Sequence, residues 1–493
     1  MQKPLFIKMA IIAILCAIFG IGLSILKTLV YERQNYANNV INEIADQHVK
    51  PQQLITPFLV SRHTTTQNCD SDKKISKTDC SKQVIVNTPI FANQTEVAQN
   101  LKVSDDEYKR SIYSATSYRG EISINQTYQL KPKNDDSTPA ASHTTSSHTT
   151  SSIQTNLQDN KTFMDTRLLL PISDLRGVNK LPNVTINGQT ITADYPKNKI
   201  FANLEYLEVI LPKSLQKADK LNIEVSLNLS GLKSIQTVPL GEQFELTTKA
   251  NWQDPNFIGH ALPTKKTLNT KDFNANWQNQ HLAIRNNQLV SLCIKQHKNS
   301  CQLVQSQTLT HSLSSTSNGY RHQVTESTNA NNQQAVNLNE FGVDFAKPNN
   351  VYLQTERTMK YGLLLIAISF GSIFLFEVIK SLRIHPVQYL LVSMALLVFY
   401  ALLLSLAEQI AFWQAYLIAS LACASLIGWY AFYLFKSGKR ASLFTVILAG
   451  QYAGFYIILT IADMNLLIGA LLCFTLIAAV MFITRKIDWY KIN

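Results

Sequence analysis

The sequence predicts an α-helical membrane bundle of six transmembrane helices, arranged one plus five, with a large periplasmic β-rich domain built as an antiparallel sheet or sandwich. Three observations predict it. A charge-free apolar run lies between Lys8 and Lys27, an almost unbroken apolar block runs from Tyr361 onward, and the long polar stretch between them alternates with a two-residue period.

The first run reads MAIIAILCAIFGIGLSIL, close to the roughly 20 residues that span a bilayer. Lys3 and Lys8 precede it, as in a signal peptide, but cleavage would need a small-x-small site. Ser24, Ile25, Leu26 and Lys27 lead instead into Thr28, Leu29 and Val30, so residues 1–30 read as a cytoplasmic amino terminus with an uncleaved anchor. Beyond it, Leu26, Leu29 or Val30, Tyr36, Val40, Ile41 and Ile44 recur at helical spacing, which extends the first helix outward as a stalk.

The carboxyl-terminal block, 358–493, divides into five spans at about 361–379, 387–407, 410–435, 441–461 and 466–484. Basic residues near spans stay in the cytoplasm. With the amino terminus inside, four clusters fall on one side: Lys3 and Lys8; Lys380 and Arg383; Lys436, Lys439 and Arg440; Arg485, Lys486 and Lys491. The two short loops on the other side carry Glu408 and Asp463. Both termini are therefore expected in the cytoplasm and the 31–357 insert in the periplasm, with the lipid bilayer as an obligatory partner. These ten basic residues, less Glu377, Glu408, Asp463 and Asp488, account for half of the net charge of +12, and the remainder is spread thinly over the insert. That distribution argues against nucleic acid, which calls for a dense basic patch.

Within the insert, Leu221, Ile223, Val225, Leu227 and Leu229 alternate with Asn222, Glu224, Ser226 and Asn228, the pattern of a half-buried strand. Val184-Thr185-Ile186 and Gln189-Thr190-Ile191 flank Asn187-Gly188, which predicts a hairpin with a type I′ turn. Phe244, Leu246 and Trp252, and Ile122, Ile124, Tyr128 and Leu130, continue the theme. Residues 134–160, including HTTSSHTTSS, have too few apolar side chains to offset ordering and read as a flexible loop, as does the polar stretch 305–334.

Cys16, Cys423 and Cys473 lie in apolar spans, where they read as packing residues. Cys69, Cys80, Cys293 and Cys301 form two close pairs in the insert, the pattern of local disulfides in an oxidising compartment, with pairing across the two loops left open. Cys293, His297 and Cys301 supply only three candidate metal ligands, so no metal is expected, and no cofactor either. There is no Gly-Lys-Ser/Thr phosphate loop, no His-Glu-x-x-His and no Gly-x-Ser-x-Gly elbow, so no catalytic residue is assigned and a non-enzymatic protein is expected.

Ionisable groups in spans are costly and often functional. Glu377 sits three residues before Lys380, where pairing or snorkelling would satisfy it; Glu408, Asp463 and Asn465 lie at outer turns, and Gln451 inside a span. Pro386 suits the first turn of a helix, with His385 before it at the cytoplasmic surface and Gln388 just inside. Glu377, His385, Gln388, Glu408 and Asp463 are the candidate functional residues of the membrane region. Gly450 and Gly454 have the spacing of close helix approach.

Several stretches resemble the CreD family of bacterial inner-membrane proteins: YERQNY (31–36), DLRG (174–177), LNLSG (227–231), ANWQDPNFIGHALP (250–263), FLFE (374–377), LRIHPVQYLLV (382–392), FYALLLSLAE (399–408) and TRKIDWY (484–490). They cover nearly the whole chain in order. The resemblance implies an inner-membrane protein of Gram-negative bacteria, tied to cell-envelope integrity and to tolerance of colicins and β-lactams, and regulated by a two-component system. It supplies no catalytic residues, and the Ser/Thr/His tract and cysteine pairs depart from the family's pattern. The expected function is an envelope-integrity and stress-tolerance protein whose periplasmic domain binds or senses an envelope protein, glycan or lipid. A transporter or channel, and a membrane-embedded envelope-modifying enzyme, are the alternatives.

Overall fold

The computed structural model describes residues 3–68, 81–130, 162–201, 204–216, 218–295, 301–304, 334–345, 351–380, 384–435 and 437–460, with scattered positions between 469 and 485. The chain divides into two compact units. The first comprises Met1–Ile41, Ser111–Tyr113 and Lys347–Asn493; the second comprises Asn42–Arg110 and Ser114–Ala346.

Helix α1 (Lys3–Gln47) opens the chain. Strands β1 (Gln52–Ile55), β2 (Phe58–Asn68), β3 (Ser81–Ile90), β4 (Gln94–Arg110), β5 (Tyr113–Gln129) and β6 (Thr162–Pro171) follow. A 3-10 turn at Leu175–Gly177 precedes β7 (Asn183–Ile186), β8 (Gln189–Thr192), β9 (Tyr206–Ile210), β10 (Lys220–Leu232) and β11 (Ser234–Val238). Next come β12 (Gln243–Ala250), β13 (Asn256–Gly259), β14 (Lys265–Leu268), β15 (Phe273–Gln278), helix α2 (Gln280–Lys295), β16 (Cys301–Val304), β17 (Gln334–Asn337) and β18 (Phe341–Asp344). Helices α3 (Val351–Lys360), α4 (Gly362–Lys380), α5 (Pro386–Ala407), α6 (Phe412–Phe435) and α7 (Gly438–Thr460) complete the order.

The second unit is a β-sandwich. An eight-stranded sheet, β14-β15-β12-β4-β5-β10-β7-β8, lays one face on two four-stranded sheets, β3-β2-β6-β9 and β1-β11-β18-β13, through a core that includes Ile122, Ile223, Phe244, Trp277, Leu168 and Phe341. Strict alternation makes this possible: β10 buries Leu221, Ile223, Val225, Leu227 and Leu229 and exposes Asn222, Glu224, Ser226 and Asn228. Each such buried side chain contributes about 1.5–3 kcal/mol over an exposed one. The β7–β8 hairpin turns at Asn187 (φ 49°) and Gly188 (φ 85°), both positive as a type I′ turn requires. Most pairings are antiparallel, but β1 with β11, β4 with β12, and β16 with β17 are parallel. A two-residue period is common to both senses, so alternation alone does not separate them.

A second, smaller core lies between the β3-β2-β6-β9 sheet and α2, where Phe58, Val60, Leu169 and Tyr206 meet Val290, Cys293 and Ile294. The sequence reading has no helix here. Asn279 Oδ1 caps it, accepting from the Leu282 amide at 3.0 Å, and Ala283, Asn286, Val290 and Cys293 make its buried stripe.

In the first unit α1, α5, α6 and α7 are each long and apolar enough to cross a membrane, and α3 with α4 forms a bent pair, at 45°, that makes a fifth such element. The bend has local causes. Thr355 and Thr358 donate to the carbonyls of Val351 and Gln354 at 2.7 and 2.8 Å, which loosens a helix, and Gly362 follows. Helix α3 begins at Val351, within the stretch that the sequence reading assigns to the end of the insert. The sixth predicted span, 466–484, lies largely outside the described residues. Helix α1 presents Ile14, Ile18, Ile21 and Ile25 outward and Leu15, Phe19 and Leu23 to the bundle core. At its stalk Val30, rather than its alternative Leu29, is buried with Ala37, Val40 and Ile44, while Tyr36, expected on the same face, is exposed. Among the described residues nothing lies within 4 Å of a Cβ at Gly450; helices approach closely at other glycines, among them Gly428, where a Cβ would press on Thr445 of α7, and Gly362, where it would meet Leu23 of α1.

Candidate functional site

In the second unit the chain leaving α1 is fastened to the sandwich by a buried polar hub. Asp174 caps the 3-10 turn, its Oδ1 accepting from the Arg176 amide at 3.1 Å. Its other oxygen accepts from the Lys50 amide at 2.9 Å and from Arg176 Nη2 at 2.6 Å, and Arg176 Nε lies 2.9 and 3.1 Å from the two oxygens. Arg176 Nη1 then donates to the Asp46 carbonyl at 2.6 Å, satisfying one of the orphan carbonyls at the end of α1. Burial alone would raise the Asp174 pKa, but the Arg176 and backbone donors outweigh it and hold the carboxyl below its usual value.

Gln52, 1% exposed, uses its whole amide here. Its Nε2 donates to the carbonyls of Asp174 (2.9 Å) and Ser230 (3.2 Å), while its Oε1 accepts from the Ser173 hydroxyl (3.1 Å) and the Asp174 amide (3.3 Å). The packing leaves no room for a side chain at two positions. A Cβ at Gly177 would collide with Gln52 Nε2 and the Ser230 carbonyl, and one at Gly231 with the Tyr118 hydroxyl. That hydroxyl donates to the Ser234 carbonyl at 3.0 Å, and burial pushes its pKa well up. DLRG and LNLSG therefore meet at one place. The side chains of Gln52, Asp174 and Arg176 are all spent on holding structure, so the hub's role is to fix position.

A second charged group crosses strands β2, β6 and β9 of the β3-β2-β6-β9 sheet. Arg167 donates to both oxygens of Glu208 (3.0 and 3.1 Å) and through Nη2 and Nε to Asp165 Oδ2 (3.0 and 3.2 Å), which Arg62 also approaches at 3.4 Å. Desolvation opposes the charge on Arg167, but the two carboxylates more than offset it. No sequence spacing signals this group, because its members come from three strands.

The membrane-region candidates separate. Glu377 is buried on α4 and accepts from the Ile384 amide and the Tyr389 hydroxyl, each at 3.1 Å. His385 and Gln388 serve the start of α5: Nδ1 of His385 accepts from the Val387 amide at 3.3 Å, and Oε1 of Gln388 accepts from the His385 amide at 3.0 Å. With Pro386 at the first helical position, the loop is a helix cap. It brings His385 and Gln388 into the same turn-and-helix start that supplies the donors of Glu377. Glu408 lies elsewhere, at the C-cap of α5, accepting from the Tyr352 hydroxyl at 3.2 Å. Asp463 is outside the described residues. Gln451 ties α7 to α4, donating to the Leu365 carbonyl at 2.6 Å and accepting from Ser369 at 3.3 Å. Cys423 does more than fill space, since its sulfur accepts from the Tyr452 hydroxyl at 3.1 Å.

Cys293 is disulfide-bonded, whereas Cys16 and Cys423 are free. Cys69 and Cys80 lie outside the described residues, as do the side chain of Cys301, the Ser/Thr-rich tract 134–160 and His297. Among the described residues there is no group of three or more His, Cys, Asp or Glu side chains able to hold a metal.

Comparison with known proteins follows this architecture. The family model described as "Inner membrane protein CreD" matches residues 4–490, taking in the membrane helices, the hub and both sandwich faces. The chain belongs to the CreD family. A curated CreD relative, "Inner membrane protein CreD" of Escherichia coli (strain K12), is 26% identical over 496 residues, covering 100% of this chain and 95% of that protein. The CreD match therefore spans the amino-terminal helix, the β unit and the carboxyl-terminal apolar helices.

Proposed function

We propose that this protein is an inner-membrane factor for cell-envelope integrity and stress tolerance, acting without catalysis, whose β unit lies in the periplasm and binds or senses an envelope component. One observation carries the placement: the half-cystine Cys293 belongs to the β unit, while the free thiols Cys16 and Cys423 belong to the membrane helices. Disulfides persist in the periplasm and are rare in the cytosol. The segregation of basic residues supports the same orientation. A folded sandwich of this size on the outer side of the membrane, with a rigid hub at its entry, suits recognition of envelope material. Labelling intact cells with a membrane-impermeant maleimide tests it. Ser226→Cys, on the exposed face of β10, should label once the outer membrane is permeabilised, and Ser437→Cys, between α6 and α7, only after lysis. The reverse pattern overturns the reading.

Transport is the second reading, and the buried carboxylate of Glu377 favours it. It requires solute movement in proteoliposomes that Glu377→Gln, Glu408→Gln or Asp463→Asn abolishes.

A further inference from the structure

The solvent face of the eight-stranded sheet holds an open concavity of about 540 Å³ across β4, β5, β12 and β15. Its composition follows from register. Thr267 of β14 pairs with Asn274 of β15, Asn274 with Lys249 of β12, and Lys249 with Asn100 of β4. Partners in adjacent strands share a face, so a hydroxyl, an amide, an ammonium and a second amide stand in one exposed row. Lys102 and Arg119 line the same hollow. Gly120 is also in the lining, and any Cβ there would run into the Asn100 carbonyl.

The charge balance of this hollow is one-sided. Lys102 and Lys249 are exposed and make no ion pair among the described residues, while Arg119 pairs with Glu107. The one acidic side chain in the lining, Asp272, accepts from Asn269 Nδ2 at 2.6 Å and is outnumbered by the two ammonium groups. Two unpartnered ammonium groups attract an anion, and side-chain amides, which both donate and accept, suit ligands with several hydroxyls. Phe273, the aromatic residue in the lining, is buried, so the hollow has no platform for stacking a nucleobase.

We propose that this concavity binds an acidic carbohydrate, a sugar bearing a carboxylate or a phosphate, through Lys102 and Lys249 with Asn100 and Asn274 reading its hydroxyls. The proposal rests on the β unit binding an envelope component and names the class of that component. The full chain in lipid nanodiscs is titrated calorimetrically with three probes: an N-acetylglucosamine–N-acetylmuramic acid disaccharide, glucosamine 1-phosphate, and neutral chitobiose. At least one acidic probe should bind about tenfold or more tighter than chitobiose, because charge-assisted hydrogen bonds are roughly twice as strong as neutral ones. Which acidic probe binds decides between carboxylate and phosphate. Lys102→Gln with Lys249→Gln should weaken that binding about tenfold or more, as should raised salt. An unchanged melting temperature shows that the double variant folds. Chitobiose binding as tightly, no binding of any probe, or full affinity in the double variant overturns the proposal. If envelope material still crosslinks to the β unit in cells in any of those cases, the broader reading stands and the assignment of this concavity falls.

Discussion

Replacing Asp174 by Asn is the most informative single change in the hub, because it keeps the shape and removes only the charge and one acceptor. The wild-type carboxylate accepts from the Lys50 amide, the Arg176 amide and the Arg176 guanidinium at 2.6–3.1 Å. In the variant an NH2 group must face one of those donors. A hydrogen bond to a charged group contributes about 1.5–3 kcal/mol, and Arg176, with its side chain 45% exposed, retains water as an alternative partner. The expected net cost is therefore about 2–3 kcal/mol at neutral pH, or roughly 3–5 °C in melting temperature for a unit of this size. The sign with pH is fixed by the lowered carboxyl pKa. The stabilisation is fully present above the unfolded value of about 3.9 and is lost as pH falls through the folded value. Thermal unfolding of the β signal by circular dichroism, run on both proteins from pH 7 down to pH 3, should show a gap that is constant near neutrality and narrows in acid. Equal melting at pH 7, or a gap that persists undiminished at pH 3, refutes the hub as described.

Changes at four further positions have defined outcomes. Gly177→Ala forces a Cβ into Gln52 and Ser230, and overpacking of about 3 kcal/mol or more should appear as a lowered melting temperature and poor yield of folded protein. Arg167→Met leaves Asp165 and Glu208 facing each other largely buried, so it should cost about 3–5 kcal/mol, read by urea unfolding of the β unit. Tyr389→Phe removes a donor from the buried Glu377 carboxylate and should lower the melting temperature in micelles by the equivalent of about 1–3 kcal/mol. Glu377→Gln, which keeps an acceptor, should cost less than Glu377→Leu.

What could be read from sequence was what depends on near neighbours. The Asn187-Gly188 turn, the alternation of β10 and the helix start at Pro386 are decided within a few residues, and the structure has each of them. The span boundaries at 387–407 and 410–435 shift by one or two residues, because the turn after α5 uses 408–411. Helix α2 escaped because its buried stripe includes Asn286, whose amide bonds the Pro239 and Asn339 carbonyls, so the apolar period is interrupted by a residue that looks exposed. The hub escaped as a site for a different reason. Gln52, Asp174 and Ser230 are more than a hundred residues apart in part, and nothing local shows that Gly177 and Gly231 are glycines for lack of space. Likewise His385 and Gln388 stand out as polar residues beside a membrane, and only in the fold are they spent on capping α5.

The central claim, that the β unit meets envelope material in the periplasm, is tested most directly by photo-crosslinking in living cells from a reactive residue placed at Asn100 or Ser226, on the exposed face of the large sheet. The account predicts capture of a discrete glycan-, lipid- or protein-containing adduct, more abundant from Asn100 than from Ser226. No adduct from either position, or adducts with cytoplasmic proteins alone, would contradict it.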